Sequence, residues 1–183
     1  MNQEVTMART AEEVGYALNG ATTDETHEEF LTFLLGEESY AVDILRVREI
    51  RAWESATRVP NTPDYLVGIL NLRGAIVPVV DLRRRFGLEA VDYQDRTVVI
   101  VVSVEEGERT RVVGIVVDGV PDVVGLAKEQ IKTTPGNQSS IDPAFIVGLA
   151  QVDERVVMFI ELDRLFVELW ETKVVEGNQA TTT

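Results

Sequence analysis

This sequence of 183 residues predicts a mainly β protein made of two related β units, and three observations carry that prediction. Sliding the chain against itself by 80 residues superposes 63–86 on 143–166 without a gap. Pro63, Val67, Gly68, Val77, Leu82, Arg84 and Phe86 meet identical residues, and pairs such as Tyr65 with Phe145, Ile76 with Val156 and Asp81 with Glu161 are alike in kind. Apolar periodicity alone would align hydrophobic positions but not the Pro, Gly and acidic punctuation, so the match marks a repeated unit. The second observation is a pair of strand-length apolar runs, 97–104 and 111–117, whose apolar residues are continuous, as in strands covered on both faces. The third is the segment 65–86, in which two apolar runs flank Arg73-Gly74, the pattern of a hairpin with Gly74 at positive φ and Arg73 at the tip.

The elements follow in order. Residues 1–28 are polar and acidic, and their scattered apolar residues keep neither helical nor strand period, so a mobile tail is expected and order begins near Glu29. Phe30 to Leu35 and Ser39 to Ile44 read as a hairpin around Gly36-Glu37-Glu38, and 47–53 as a further strand. After the 65–86 hairpin, Asp81 opens a short basic helix. The runs 97–104 and 111–117 are joined by Glu105-Glu106-Gly107-Glu108, and the core is expected to be thickest there. Residues 132–140, with Thr-Thr-Pro-Gly-Asn-Gln-Ser-Ser, are a loop by composition. Leu162, Leu165, Phe166 and Leu169 stand at helical spacing, which predicts an amphipathic helix over 161–170 before a polar tail, 171–183. A weaker internal echo pairs Val47-Arg48-Glu49-Ile50 with Val120-Pro121-Asp122-Val123. The repeat fails at the hairpin tips, where Arg73-Gly74-Ala75 faces Asp153-Glu154-Arg155. Either the first unit carries distinctive chemistry at Arg73, or the tips are two unrelated surface turns.

Composition narrows the function. The absence of cysteine removes disulfides, thiol nucleophiles and thiolate metal sites. A net charge of −14 argues against nucleic acid and anionic lipid, which are bound mainly through Lys and Arg. No apolar run approaches the roughly 20 residues of a membrane span. The first twenty residues lack the apolar core of a signal peptide, so a cytoplasmic location is expected. Nine of fourteen arginines lie between Arg46 and Arg96, where they serve either as interface groups or as solvated partners of acidic neighbours.

Catalytic patterns are missing. The sole histidine, His27, lies in the acidic N-terminal stretch and supports neither a Ser-His-Asp triad nor a metal site. The glycines do not form a P-loop or a dinucleotide motif, so no cofactor and no metal are expected. Paired carboxylates of a hydrolase, or a small-ligand-binding β-barrel, remain as readings of a different class. Surfaces are the better candidates: Gly68 to Arg73 and Val47-Arg48-Glu49-Ile50 each mix apolar residues with a charge. Glu49 and Arg73 are a candidate ion pair; if it is partly buried, losing Arg73 would strand a carboxylate and cost about 3 kcal/mol, and if exposed, well under about 1 kcal/mol. Val47 and Gly68 equally fit ordinary barrel core.

Asn71-Leu72-Arg73-Gly74 followed by Pro78-Val79-Val80-Asp81-Leu82-Arg83 resembles the signature of the bacterial chemotaxis coupling family CheW. Tyr40-Ala41-Val42-Asp43-Ile44-Leu45, Val47-Arg48-Glu49-Ile50, Thr97 to Val101 and Val112 to Val120 add to the resemblance in the family's order, over residues 29–170. The resemblance implies two packed SH3-like five-stranded β-barrels with short helices and a C-terminal helix. It also implies a non-enzymatic adaptor that tethers the histidine kinase CheA, through its C-terminal regulatory domain, to the cytoplasmic tip of methyl-accepting chemoreceptors. On this resemblance the receptor-facing positions are Val47, Glu49, Gly68, Arg73 and Val123, lining a groove between the barrels. The kinase-facing positions are Ile44 and Lys132. The polar stretch 133–140 departs from relatives that present an aromatic near Asn137 for a ring contact with the kinase domain. The nearest rivals are a coupling module of a non-swimming chemosensory pathway, the regulatory domain of CheA, and CheV, whose receiver domain of about a hundred residues has no place in 171–183.

Overall fold

The computed structural model describes residues 27–133 and 141–171. Among the described residues ten strands form two five-stranded sheets, the two related β units that the sequence predicts. One sheet is built from a contiguous stretch: β3 (Val47–Ala52), β4 (Leu66–Leu72), β5 (Ala75–Asp81), helix α1 (Leu82–Arg85), β6 (Val98–Glu106) and β7 (Arg109–Val117), in spatial order β3-β6-β7-β5-β4. The other combines the N-terminal hairpin β1 (Glu28–Leu35) and β2 (Glu38–Asp43) with β8 (Val123–Leu126), β9 (Ile146–Val152) and β10 (Arg155–Ile160), in the order β8-β1-β2-β10-β9. Helices α2 (Leu162–Leu165) and α3 (Val167–Glu171) follow.

Each sheet closes into a barrel by the same device. Past the end of β3, Thr57 exchanges two backbone hydrogen bonds of 2.9 Å with Ile69 of β4. Past the end of β8, Lys132 exchanges two of 2.8 Å with Leu149 of β9. Ile69 and Leu149 are 80 residues apart, as are β4 and β9, the starts of β5 and β10, and helices α1 and α2. Even the turn residues agree, because Arg73 and Asp153 share a φ of 53°. The weaker echo is also structural. Ile50 pairs with Ile100 and Val123 with Leu31, while Val79 lies beside Gly114 and Phe159 beside Ala41 in the two parallel pairings. β1 and β2 therefore stand in barrel two where β6 and β7 stand in barrel one. The second unit is circularly permuted, with its last two strands at the start of the chain.

The inner strands are covered on both faces, as their continuous apolar runs predict. Val99 and Val101 of β6 pack with Val79 and Val116 inside barrel one. The alternate residues Val98, Ile100, Val102 and Val104 join Leu31, Phe33, Leu35, Tyr40 and Val42 in a core shared by the two barrels. Each such side chain withdrawn from water contributes about 2 kcal/mol, so the shared layer fixes one barrel on the other. Phe30, Ala41, Leu126, Ala150, Val157 and Phe159 form the interior of barrel two.

The two crossings between barrels are pinned by ion pairs of opposite polarity. In the crossing after β7, Asp118 accepts from Arg83 of α1, with Nε–O distances of 3.0 and 2.8 Å, and from the Gly36 amide at 2.6 Å. In the crossing after β2, Arg46 donates to Asp163 of α2 at 2.7 Å, and Asp163 also accepts from the Glu105 amide at 2.7 Å. Arg83 and Asp163 are again 80 residues apart. Between the helices, the Arg85 guanidinium lies 5.1 Å from the Tyr65 ring centre and 4.8 Å from that of Phe145, its repeat counterpart.

Three expectations need adjustment. The terminal helix is not continuous over 161–170. Phe166, buried and with φ −109° and ψ 4°, interrupts it where Phe86 ends α1, because α2 repeats the four-residue helix of the first unit. Strand β1 begins at Glu28 and β6–β7 extend into the polar stretch 105–108, leaving only a tight turn at Gly107. The expected tail before His27, residues 134–140 of the loop, and the tail after Glu171 lie outside the described residues.

A buried tyrosine, Tyr40, and a half-buried one, Tyr93, predict the alkaline limit. Burial first, then a hydrogen bond to Glu38, pushes Tyr40 above the ordinary tyrosine value of 10.0, and burial followed by the charge of Asp81 does so for Tyr93. A raised folded-state pKa gives stability that is intact below the unfolded value and lost as pH rises through the folded one. Stability is therefore expected to fall above about pH 10, and ultraviolet titration should find these two tyrosines protonated until the chain unfolds. Ionisation of all four tyrosines at the ordinary value in the folded protein would contradict this.

Candidate protein-docking surface

The β4–β5 hairpin turns through two residues, Arg73 and Gly74, with φ of 53° and 88°, between the paired ends Leu72 and Ala75. The Asn71 side-chain oxygen accepts from the Gly74 amide at 2.9 Å and holds the turn. Open space surrounds the Gly74 α-carbon, so the positive φ is what calls for glycine there. Arg73 projects into solvent with its side chain 90% exposed, and its Nη2 donates to Glu49 Oε2 at 3.3 Å. Glu49 also meets Arg51 Nη1 at 3.4 Å. The expected pair exists in its exposed form, worth well under about 1 kcal/mol to the fold. Its charges are available to a partner.

A bulge at Arg48 sets Val47 and Glu49 on opposite faces of β3. Val47 pairs with Val102, on the face toward the shared core, and Glu49 with Val101, on the face toward the interior of barrel one. Val123, at the start of β8, is likewise half-buried against the shared core. Val47 and Val123 thus border the seam between barrels, and Glu49 and Arg73 form a charged pair on barrel one.

Gly68 is different. A Cβ at this position would lie 2.5 Å from the Thr57 carbonyl oxygen, and at Gly148 it would lie 2.7 Å from that of Lys132. Both glycines let the closing segment approach, which accounts for Gly68 by packing without any partner. Lys132 has an exposed side chain while its backbone closes barrel two. Ile44 is half-buried at the start of a 3-10 turn, Ile44–Arg46, capped by Asp43, whose side chain accepts from the Leu45 amide at 2.8 Å.

Sequence reasoning missed the apolar residues left outside. Leu45 is 85% exposed beside Ile44, and Val147 and Val156 are about half-exposed on β9 and β10, the hairpin whose Leu149 pairs with Lys132. Their positions in strand-like patterns gave no sign of which face they occupy. Among the described residues no cluster of three or more metal-ligating side chains occurs, and no helix is long and apolar enough to cross a membrane.

The CheW-like domain family matches residues 29–169, both barrels together. The chain belongs to that family. It is 45% identical to the chemotaxis protein CheW of Klebsiella aerogenes over 75% of this chain and 81% of that protein. Against the probable chemotaxis protein CheW of Rhizobium etli the identity is 40%, over 76% and 88% of the two chains. The crystal structure of the scaffolding protein TtCheW from Thermoanaerobacter tengcongensis superposes with a TM-score of 0.71 at 33% identity, covering 80% of this chain and 90% of that one.

Proposed function

We propose that this protein is a non-enzymatic cytoplasmic adaptor of chemotaxis signalling, joining the cytoplasmic tip of methyl-accepting chemoreceptors to the histidine kinase CheA. The observation that carries this reading is the likeness to chemotaxis proteins CheW across both barrels, at 45% identity to that of Klebsiella aerogenes. In this reading Val47, Glu49, Gly68, Arg73 and Val123 serve the receptor. The half-buried valines line the seam, the exposed Glu49–Arg73 pair orients a helical tip, and Gly68 acts through the closure it permits. Ile44 and Lys132 serve the kinase regulatory domain, supported by the exposed Leu45 beside Ile44 and by Val147 and Val156, exposed on the hairpin that Lys132 pairs with, since exposed apolar surface favours docking. An adaptor of this kind acts by geometry, holding two partners so that each biases the conformational equilibrium of the other.

Calorimetric titration with the isolated regulatory domain of a CheA kinase from the same organism tests the reading. Saturable one-to-one binding is expected; absence of heat and of complex with a folded protein would overturn it. Arg73→Ala is expected to weaken receptor coupling more than kinase binding while shifting stability by less than about 1 kcal/mol. Equal loss of both partners would remove Arg73 from the receptor side.

A further inference from the structure

Barrel one carries a positive recess at the end of the β4–β5 hairpin opposite Arg73. From Val67 to the tip the strand runs about 20 Å, so the recess is separate from the Glu49–Arg73 pair. It has a volume of about 370 Å³, and Arg58, Val59, Pro63, Asp64, Val67 and Arg84 border it. Two arginines stand there with one aspartate, in a protein whose net charge is −14.

Neither guanidinium is satisfied within the fold. Arg58 is exposed and makes no hydrogen bond or ion pair with another described residue. Arg84 donates from Nη1 to the Asp64 carbonyl at 3.3 Å, while its Nε is buried without a hydrogen-bond partner, 3.5 Å from Asp81 Oδ2. That oxygen already accepts from the Tyr93 hydroxyl at 2.9 Å, and Oδ1 accepts from the Arg83 amide at 2.9 Å. Arg84 Nη2 is left open to solvent with no described partner. The two charges converge on one spot: burial and then Asp81 raise the pKa of Tyr93, and Arg84 and Arg58 both lower it.

The rim is set before any ligand arrives. Thr62 Oγ1 donates to the Val59 carbonyl at 2.9 Å, the Leu66 amide donates to the Pro63 carbonyl at 2.9 Å, and Pro60 and Pro63 have a fixed φ. Binding there costs little ordering. A planar carboxylate matches the guanidinium forks. Half-buried Val59, Pro63 and Val67 suit the methylene stem of a glutamate, whereas a small free anion would find no use for them.

We propose that this recess is a docking site for an acidic side chain, a glutamate foremost, presented by a partner protein, with its carboxylate bridging Arg58 and Arg84. The site does not depend on what Ile44, Lys132 or the Glu49–Arg73 pair meet.

Nuclear magnetic resonance titration of the full chain with a capped tetraglutamate peptide tests it, with a tetraglutamine peptide and inorganic phosphate as comparisons. Saturable shifts are expected at the Arg58 and Arg84 Nε–H signals and the Val67 amide, strongest for tetraglutamate and weaker as salt is added. Arg58→Gln and Arg84→Gln should each weaken binding by about fivefold and the double variant should abolish it. Arg58→Gln should leave the melting temperature unchanged, because Arg58 has no described partner to lose. The proposal is overturned by an absence of saturable shifts, by equal binding of tetraglutamine, by undiminished binding in the double variant, or by phosphate binding as well as the peptide, which would make the recess a site for free oxyanions.

Discussion

Gly68→Ala is expected to destabilise the protein by about 3 kcal/mol or more, lowering the melting temperature by roughly 10 °C. The added methyl would meet the Thr57 carbonyl oxygen at 2.5 Å and the Ala56 Cβ at 2.9 Å, and the first of these is backbone that no rotamer change relieves. The φ of 154° at Gly68 adds strain for any L side chain. Relief requires Thr57 to retreat from Ile69, which breaks the two hydrogen bonds that close barrel one. Gly148→Ala meets the same obstacle at 2.7 Å but without a left-handed φ, so a smaller loss is expected there. Thermal melts of the two variants check this. An unchanged melting temperature in Gly68→Ala with receptor coupling lost would instead make Gly68 a contact residue.

The repeat was legible because its structural punctuation survives in sequence. Pro63 and Pro143 precede the hairpins, Gly68 and Gly148 admit the closing segments, and Asp81 and Glu161 stand before the short helices. Such positions are constrained by backbone geometry, which few residue types satisfy. The permutation was not legible. It rests on strand pairs far apart in sequence, such as Phe30 with Val124 and Tyr40 with Met158. The residues that correspond, Val99 and Phe30 or Gly114 and Ala41, share only small or apolar character. Interior positions accept many side chains if volume is kept, so identity fades there first. The continuous 161–170 helix failed for a related reason, because apolar spacing reports the buried face but not the backbone break at Phe166.

At the candidate surface, sequence placed Arg73 at a tip and paired it with Glu49, since turn chemistry and charge are local properties. It left open whether that pair was buried, and the structure answers with a 90% exposed arginine. Gly68 showed the limit of residue type alone, as a glycine in an apolar strand fits a docking groove and a close backbone approach equally. Leu45 and Val156 went unnoticed because exposure depends on which neighbouring strand covers which face.

Asp118→Ala should cost about 3 kcal/mol, far more than its small side chain suggests. Asp118 accepts from both the Arg83 guanidinium and the Gly36 amide, so its loss strips an ion pair and a turn cap together. The Arg83 side chain is only 14% exposed, and without its carboxylate it keeps a charge that water reaches poorly. The hydrogen bond to Asp118 is also the main cause holding the Arg83 pKa above its ordinary value, against burial, which lowers it. The reversed pair at the other crossing, Arg46 with Asp163, is more exposed, and Asp163→Ala should cost nearer 1 kcal/mol after solvent screening. Urea denaturation of Arg83→Ala, Asp118→Ala and the double variant gives the comparison. A coupling energy above about 1 kcal/mol is expected between the two positions. Additive losses would move the hold on that crossing to the shared apolar core, in which Leu31, Phe33, Ile100 and Ile115 pack between the barrels.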